Sequence, residues 1–200
     1  MSPRASATHA DRRLYLLVLR CQTGDETAFA QLLASFGGRT LAHLRTLVGD
    51  AADDVQQEVW LTVYRRLSSL ANPNGFRTWL FQTTRHRAID YLRARKRERE
   101  LFDDEGSVDV SQIASSDDER LDLSGGSVAA VFAQLAPAHR EVLQLRYEED
   151  LSYAEIALVS GCAVGTVRSR LHNAKRHLQE LLARDGVGLM GREEDKEGAT

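Results

Sequence analysis

Proline occurs at positions 3, 73 and 137 and nowhere else in 200 residues. Proline deletes a helical hydrogen bond and clashes with the preceding turn, so its scarcity leaves long stretches free to run as uninterrupted helix. Those stretches are rich in Leu, Ala, Arg and Glu, and no run of alternating β-branched residues breaks them. The pattern predicts an all-α protein. Hydrophobic residues make up 42% of the chain, enough for packed cores at a length that suits one or two domains. No apolar stretch approaches the length of a bilayer span, and the start, MSPRASATHADRR, carries no hydrophobic signal core. The expected location is the cytoplasm.

Glycines and cap residues divide the chain into two small helical domains. After a disordered N-terminus over 1–10, residues 11–100 read as the first. Its first helix spans 11–22, with Leu14, Leu17, Val18 and Cys21 on one face. Gly24 breaks it, and Asp25 is placed to cap a second helix carrying Phe29, Leu32, Leu33 and Phe36. The Gly37-Gly38 pair is expected to kink or interrupt that helix before Leu41, Leu44, Leu47 and Val48 continue the stripe. A third helix runs from 53 or 54 to 70, the Asn72-Pro73-Asn74-Gly75 turn follows, and a fourth runs from 76 to about 100. Residues 101–127, dominated by Gly, Ser and Asp, read as a flexible acidic linker. The second domain, 128–184, holds helices at 128–135 and 137–147 and then a helical hairpin; 185–200 reads as a disordered tail. Cys21 and Cys162 are isolated and expected to be reduced thiols.

The net charge of −3 averages opposed blocks. Residues 85–99 hold Arg85, Arg87, Arg93, Arg95, Lys96, Arg97 and Arg99 against Asp90 and Glu98, whereas 100–122 hold nine carboxylates against Arg120 alone. With a further cationic helix in the hairpin, overall charge hides two basic patches separated by an acidic strip.

The hairpin, LSYAEIALVSGCAVGTVRSRLHNAKR over 151–176, reads as two short helices joined by a tight turn. Ser152 and Glu155 have capping-box spacing, Ala154, Ile156, Ala157 and Val159 give the first helix an apolar face, and Gly161 supplies a residue that takes positive φ where it stops. In the second helix Val164, Val167 and Leu171 point inward. Thr166, Arg168, Ser169, Arg170, His172, Asn173 and Lys175 are left facing out. Small turn residues and a cationic outer face suit a helix that enters a major groove, although hairpins of this shape also occur in proteins that never touch DNA.

The fourth helix interleaves cations with aromatics. Arg85, His86, Arg93 and Lys96 recur at helical spacing and can track a phosphate backbone, while Phe76, Trp79, Phe81 and Tyr91 offer rings for an unpaired base. The competing role is core packing, which is the stronger expectation for Trp79, Leu80 and Ile89. In the helix before it, Val55, Val59, Leu61, Val63 and Leu67 form the apolar set, with Asp54, Gln57, Glu58 and Arg65 polar on another side. Catalytic constellations are not recognisable. Asp103, Asp104 and Glu105 have no ordered His partner, and no Ser-His-Asp set, phosphate-binding Gly loop or Cys-His pair stands out, so no cofactor, metal or small-molecule substrate is expected.

In order, DVQQEVWLTVYRRL, FRTWLFQTTRHRAIDYLRARKR and LAPAHREVLQLRYEEDLSYAEIALVSGCAVGTVRSRLHNAKRHL resemble the bacterial RNA polymerase sigma factors of the sigma-70 family, in particular the small two-domain extracytoplasmic-function (ECF) group. The resemblance covers about residues 24–182 and implies a transcription initiation factor rather than an enzyme. It implies a core-polymerase partner, met at the coiled coil of the largest subunit and at the flap region, with Asp54, Gln57 and Glu58 at the coiled-coil contact. It further implies minus-ten recognition and opening by the first domain, with Asn72 and Asn74 in the base-holding loop and Arg85, His86, Arg93 and Lys96 on the opening DNA. His86 stands where relatives often carry Asn. The hairpin would read the minus-thirty-five element through Thr166, Arg168, Ser169, Arg170, His172 and Lys175, and an anti-sigma protein would be a further partner. The linker would lie in the polymerase's RNA path. The alternative is a stand-alone helix-turn-helix regulator, with the first domain serving dimerisation or ligand sensing.

Overall fold

The computed structural model describes residues 9–102 and 128–184, and the regular elements in them are all helical. The expected linker residues 103–127, with Asp103, Asp104 and Glu105, lie outside the described residues, as do 1–8 and 185–200. The first helical unit is built from α1 (His9–Gln22), α2 (Glu26–Val48), α3 (Ala52–Arg66) and α4 (Phe76–Phe102). The second is built from α5 (Val128–Ala133), α6 (Pro137–Tyr147), α7 (Tyr153–Ser160) and α8 (Val164–Arg184).

Local chemistry sets where these helices start and stop. Asp25 caps α2 by accepting from the Ala28 amide at 3.0 Å, while Thr27 and Arg20 donate to the same carboxylate. Those bonds, Thr27 first, hold the carboxyl well below the usual range. The expected break at Gly37-Gly38 does not occur, and α2 runs unbroken for 23 residues. Buried Phe36 and Leu44 anchor it on both sides of the pair, and the Thr40 hydroxyl and Gln56 amide both donate to the Gly37 carbonyl. The third helix stops short of residue 70. After Arg66 the chain tightens into a 3-10 turn over Leu67–Ser69, and the Gln22 amide donates to the carbonyls of Leu67 (3.0 Å) and Leu70 (2.8 Å).

Each unit has its own core. Leu32, Phe36, Leu44, Val55, Val59, Trp60, Val63, Phe76 and Leu80 fill the first; Val131, Leu135, Val142, Leu145, Ile156, Val167 and Leu171 fill the second. Each such side chain, fully buried, contributes about 1.5–3 kcal/mol. Three side chains expected to point inward do not: Ala154, Val164 and Leu61 are exposed. On α7 the buried stripe is Ile156, Ala157, Val159 and Ser160, which rotates Ala154 outward. Val164 sits in the first turn of α8, above the layer where Val167 begins to pack.

In the second unit the capping box is complete. The Ser152 hydroxyl accepts from the Glu155 amide, and the Glu155 carboxylate accepts from the Ser152 amide at 2.9 Å. Gly161 ends α7 in the left-handed region at φ 64°, ψ 36°.

The two units pack on each other. Phe81 of α4 is fully buried in the core of the second unit, not in its own. His43 of α2 is also fully buried, edge-on to Phe81 at 5.4 Å, with Nδ1 3.3 Å from Gln144 Oε1 and Nε2 3.9 Å from Glu141 Oε1. Two ion pairs flank them. Arg85 Nε donates to Glu141 Oε1 at 2.8 Å, and Arg39 Nε to Glu149 Oε1 at 2.8 Å. Both carboxylates are buried, which water would oppose if they were not paired.

Ser152→Ala should cost about 1 kcal/mol, the usual worth of a cap; a chemical denaturation midpoint indistinguishable from wild type would show that the box does not stabilise α7. A second prediction concerns acid. Burial, aided by Arg85, lowers the His43 pKa against the opposing pull of Glu141. The unfolded chain therefore takes up a proton near the ordinary value of 6.5 and the folded chain does not, so stability is full above 6.5 and falls as pH drops through it. Glu149, pushed up from 4.5 by burial, has the reverse sign: its contribution is full below 4.5 and is lost as pH rises through the raised value. Denaturation midpoints at pH about 7.5 and about 5.5 should decline on acidification, and His43→Gln should flatten or reverse that slope.

Candidate nucleic-acid interface

On α3, burial of Val55, Val59, Trp60 and Val63 turns the opposite face outward. Asp54, Gln57 and Glu58 are all exposed there. Spacings of three and four residues place Leu61 and Tyr64 in the same stripe, 54% and 61% exposed. Tyr64 is held by an edge contact to Phe29 at 5.2 Å. Sequence reasoning counted Leu61 as core because it is apolar. The signal that could have placed it was the half-turn offset from Val59 and Val63. The stripe is therefore acidic and amide-bearing at one end and apolar at the other.

The turn into α4 is self-bonded. Asn72 Oδ1 accepts from the Asn74 amide at 3.1 Å, and the Asn72 carbonyl from the Gly75 amide at 2.9 Å. Both asparagines remain exposed. Along α4 the cations divide. His86 and Arg93 are exposed, Lys96 is half-buried and lies 3.5 Å from Glu100, and Arg85 is drawn onto Glu141. Arg87 forks onto the Thr62 hydroxyl at 3.2 and 2.9 Å, a neutral partner that leaves its charge uncompensated by that contact. Phe76 and Phe81 are both buried in cores, so neither ring is available to a base; Trp79 is half-buried and packs on the first core.

These residues meet in one place. A cleft of about 580 Å³ is lined by Arg66, Trp79, Arg85, His86, Arg87 and Arg93 on one side and by Leu158, Val159 and Gly161 of α7 and its following turn on the other. Arg66 and Arg87 were not singled out in the sequence. Arg66 closes α3 and Arg87 faces back across α4 to Thr62, so their convergence with Arg85 depends on how two helices cross.

In the hairpin, Arg168, Ser169, His172 and Lys175 are exposed on α8, with Thr166 and Arg170 half-buried. The Ser169 hydroxyl donates to the Thr166 carbonyl, and an Arg170 guanidinium nitrogen lies 4.0 Å from Cys162 Sγ. Lys175 Nζ stands over the Tyr147 ring at 5.2 Å. It borders an apolar groove of about 380 Å³ formed by Phe132, Leu143, Tyr147, Leu178 and Leu182. Both cysteines are free thiols. Among the described residues no helix is long and apolar enough to cross a membrane.

Comparison with known proteins matches these surfaces to a family. Residues 32–98 match the family described as Sigma-70 region 2, and residues 126–178 match Sigma-70, region 4. The chain is 35% identical to the RNA polymerase sigma-H factor of Pseudomonas aeruginosa, over 83% of this chain and 92% of that one. It is 34% identical to the ECF RNA polymerase sigma-E factor of Escherichia coli K12, over 80% and 89%. Among solved structures, the sigma factor RpoE of Bartonella quintana, in complex with the anti-sigma factor NepR, is similar with a TM-score of 0.58 and 27% identity over 78% of this chain and 96% of that one. CnrH, solved with the cytosolic domain of CnrY, shares the fold with a TM-score of 0.55 and 24% identity over 86% and 98%. The chain belongs to the sigma-70 family of RNA polymerase sigma factors, in its ECF group, and is a transcription initiation factor that directs core polymerase to promoters.

Proposed function

We propose that the work of this initiation factor is divided among three surfaces, each on a separate helix. The exposed stripe of α3, with Asp54, Gln57 and Glu58 at its polar end and Leu61 and Tyr64 at its apolar end, docks on the coiled coil of the largest polymerase subunit. The turn bearing Asn72 and Asn74, with Arg85, His86, Arg93 and Lys96 of α4, holds and opens the minus-ten element. Arg168 and His172 of α8 reach base edges or adjacent phosphates of the minus-thirty-five element, and Thr166, Ser169, Arg170 and Lys175 position the helix on the backbone. The apolar groove beside Tyr147 accepts the flap region of the polymerase.

The observation that carries this reading is the placement of the three sets: each lies on the solvent face of a helix whose opposite face is core. Extruding a base costs a few kcal/mol, which contacts to a held single strand offset. On this reading the chain has no catalytic site, acts in the cytoplasm, and is held in check by an anti-sigma partner. A solved relative bound to such a protein supports that last point. The stand-alone regulator is not favoured, because it leaves the α3 stripe without a role.

Run-off transcription with core enzyme, followed by sequencing of the start sites, tests the whole reading; no transcript from any candidate promoter and no co-elution with core would overturn it. Arg168→Ala should weaken promoter recognition by about 1–3 kcal/mol and act at one base position. Equal losses on every sequence would make Arg168 a phosphate contact. Gln57→Ala with Glu58→Ala should reduce co-elution with core while the circular dichroism spectrum stays helical.

A further inference from the structure

Arg85 has two competing partners. In the proposed reading it joins the α4 cations that meet the opened promoter. In the structure its Nε donates to Glu141 Oε1 at 2.8 Å, and that carboxylate is buried. A carboxylate seated on a guanidinium takes the same donors that a phosphate would take. The contact is also packed: Phe81 and His43 are fully buried beside it, and the second pair, Arg39 with Glu149, closes its far side. Meanwhile α7 lies along α4, so that Leu158, Val159 and Gly161 wall the cleft holding His86, Arg87 and Arg93.

We infer that the docking of the second helical unit on α4 is an autoinhibitory clasp, in which Glu141 stands in for a nucleic-acid phosphate on Arg85 and α7 screens the neighbouring cations. The inference rests on the reading of Arg85 as a DNA contact. Its electrostatics have a definite sense. Both carboxylates of the clasp come from the second unit and both guanidinium groups from the first. A single strand arriving on α4 replaces the carboxylate on Arg85 and repels the one it displaces. Nucleic acid and the second unit therefore bind α4 in competition, and each weakens the other by mass action. A clasp closed nine times in ten would weaken the apparent affinity for DNA about tenfold.

The test uses the full chain with Glu141→Gln and Glu149→Gln together. These substitutions keep the size of each side chain, remove its charge and leave every proposed DNA contact intact. Nitroxides at Arg65→Cys and Glu180→Cys, in a Cys21→Ser, Cys162→Ser background, report the distance between the units by electron-spin resonance. Fluorescence anisotropy with a labelled single-stranded oligonucleotide of mixed sequence reports binding at fixed salt. The expected result is one narrow distance in the parent, a broad and longer distribution in the variant, and about tenfold tighter DNA binding by the variant. Arg39→Glu, which sets two carboxylates against each other on the more exposed pair, should do the same and covers the case in which the double variant fails to fold. A variant that opens without binding DNA more tightly would overturn the clasp as an inhibitor. A variant that stays closed would overturn the ion pairs as its fastening. Adding Arg85→Ala to the opened chain should lower DNA affinity. If it does not, the DNA role of Arg85 falls and the competition falls with it, whereas the measured opening would stand.

Discussion

One helix serves two cores. Leu80 and Phe81 are neighbours in sequence, so their side chains leave α4 about 100° apart; Leu80 is buried among α2 and α3, and Phe81 in the second unit. This adjacency ties the two halves of the molecule together. The cations that follow, from Arg85 onward, are placed by a helix clamped on two sides before they begin. His43 completes the clamp from α2, neutral because burial disfavours its charge and close to Glu141 without reaching it. The buried pairs are consistent with this picture. Charges so placed add little net stability, yet they fix which surfaces meet, because a mismatched arrangement would strand an ion away from water.

The helices and most of their caps were legible in the sequence. Ser152 with Glu155, Asp25 before α2, Gly161 after α7 and Pro137 at the head of α6 each act through neighbours within a few residues, and each stands where its local chemistry predicted. The exceptions share a cause. Gly37-Gly38 carries a breaking signal, but Thr40, Gln56 and the flanking core side chains hold α2 continuous. Leu61 and Val164 have the hydropathy of core residues, but helix rotation is set by the whole stripe, and stronger neighbours win.

The surfaces were legible as sets and not as arrangements. Spacing alone put Arg85, His86, Arg93 and Lys96 on α4, but not that Glu141, far along the chain, would claim Arg85 while His86 and Arg93 stay exposed. Arg39 and Glu149 gave no signal at all, since an arginine and a glutamate in separate amphipathic helices look like ordinary solvated charges until tertiary packing pairs them. The aromatics of α4 show the same limit: composition offered rings for stacking, and packing took Phe76 and Phe81 for the interior.

The Gln22 amide, bonded to the carbonyls of Leu67 and Leu70, links the end of α1 to the chain just before Asn72. Those two carbonyls belong to a segment with little apolar anchorage beyond Leu67, so its shape is borrowed from α1. The geometry of the Asn72–Gly75 turn is thereby made dependent on a helix that contains none of the proposed DNA contacts. Any ligand or substitution that shifts α1 along its own axis would reshape the turn from behind, so α1 works as the adjusting screw of the loop rather than as a mere lid on the core.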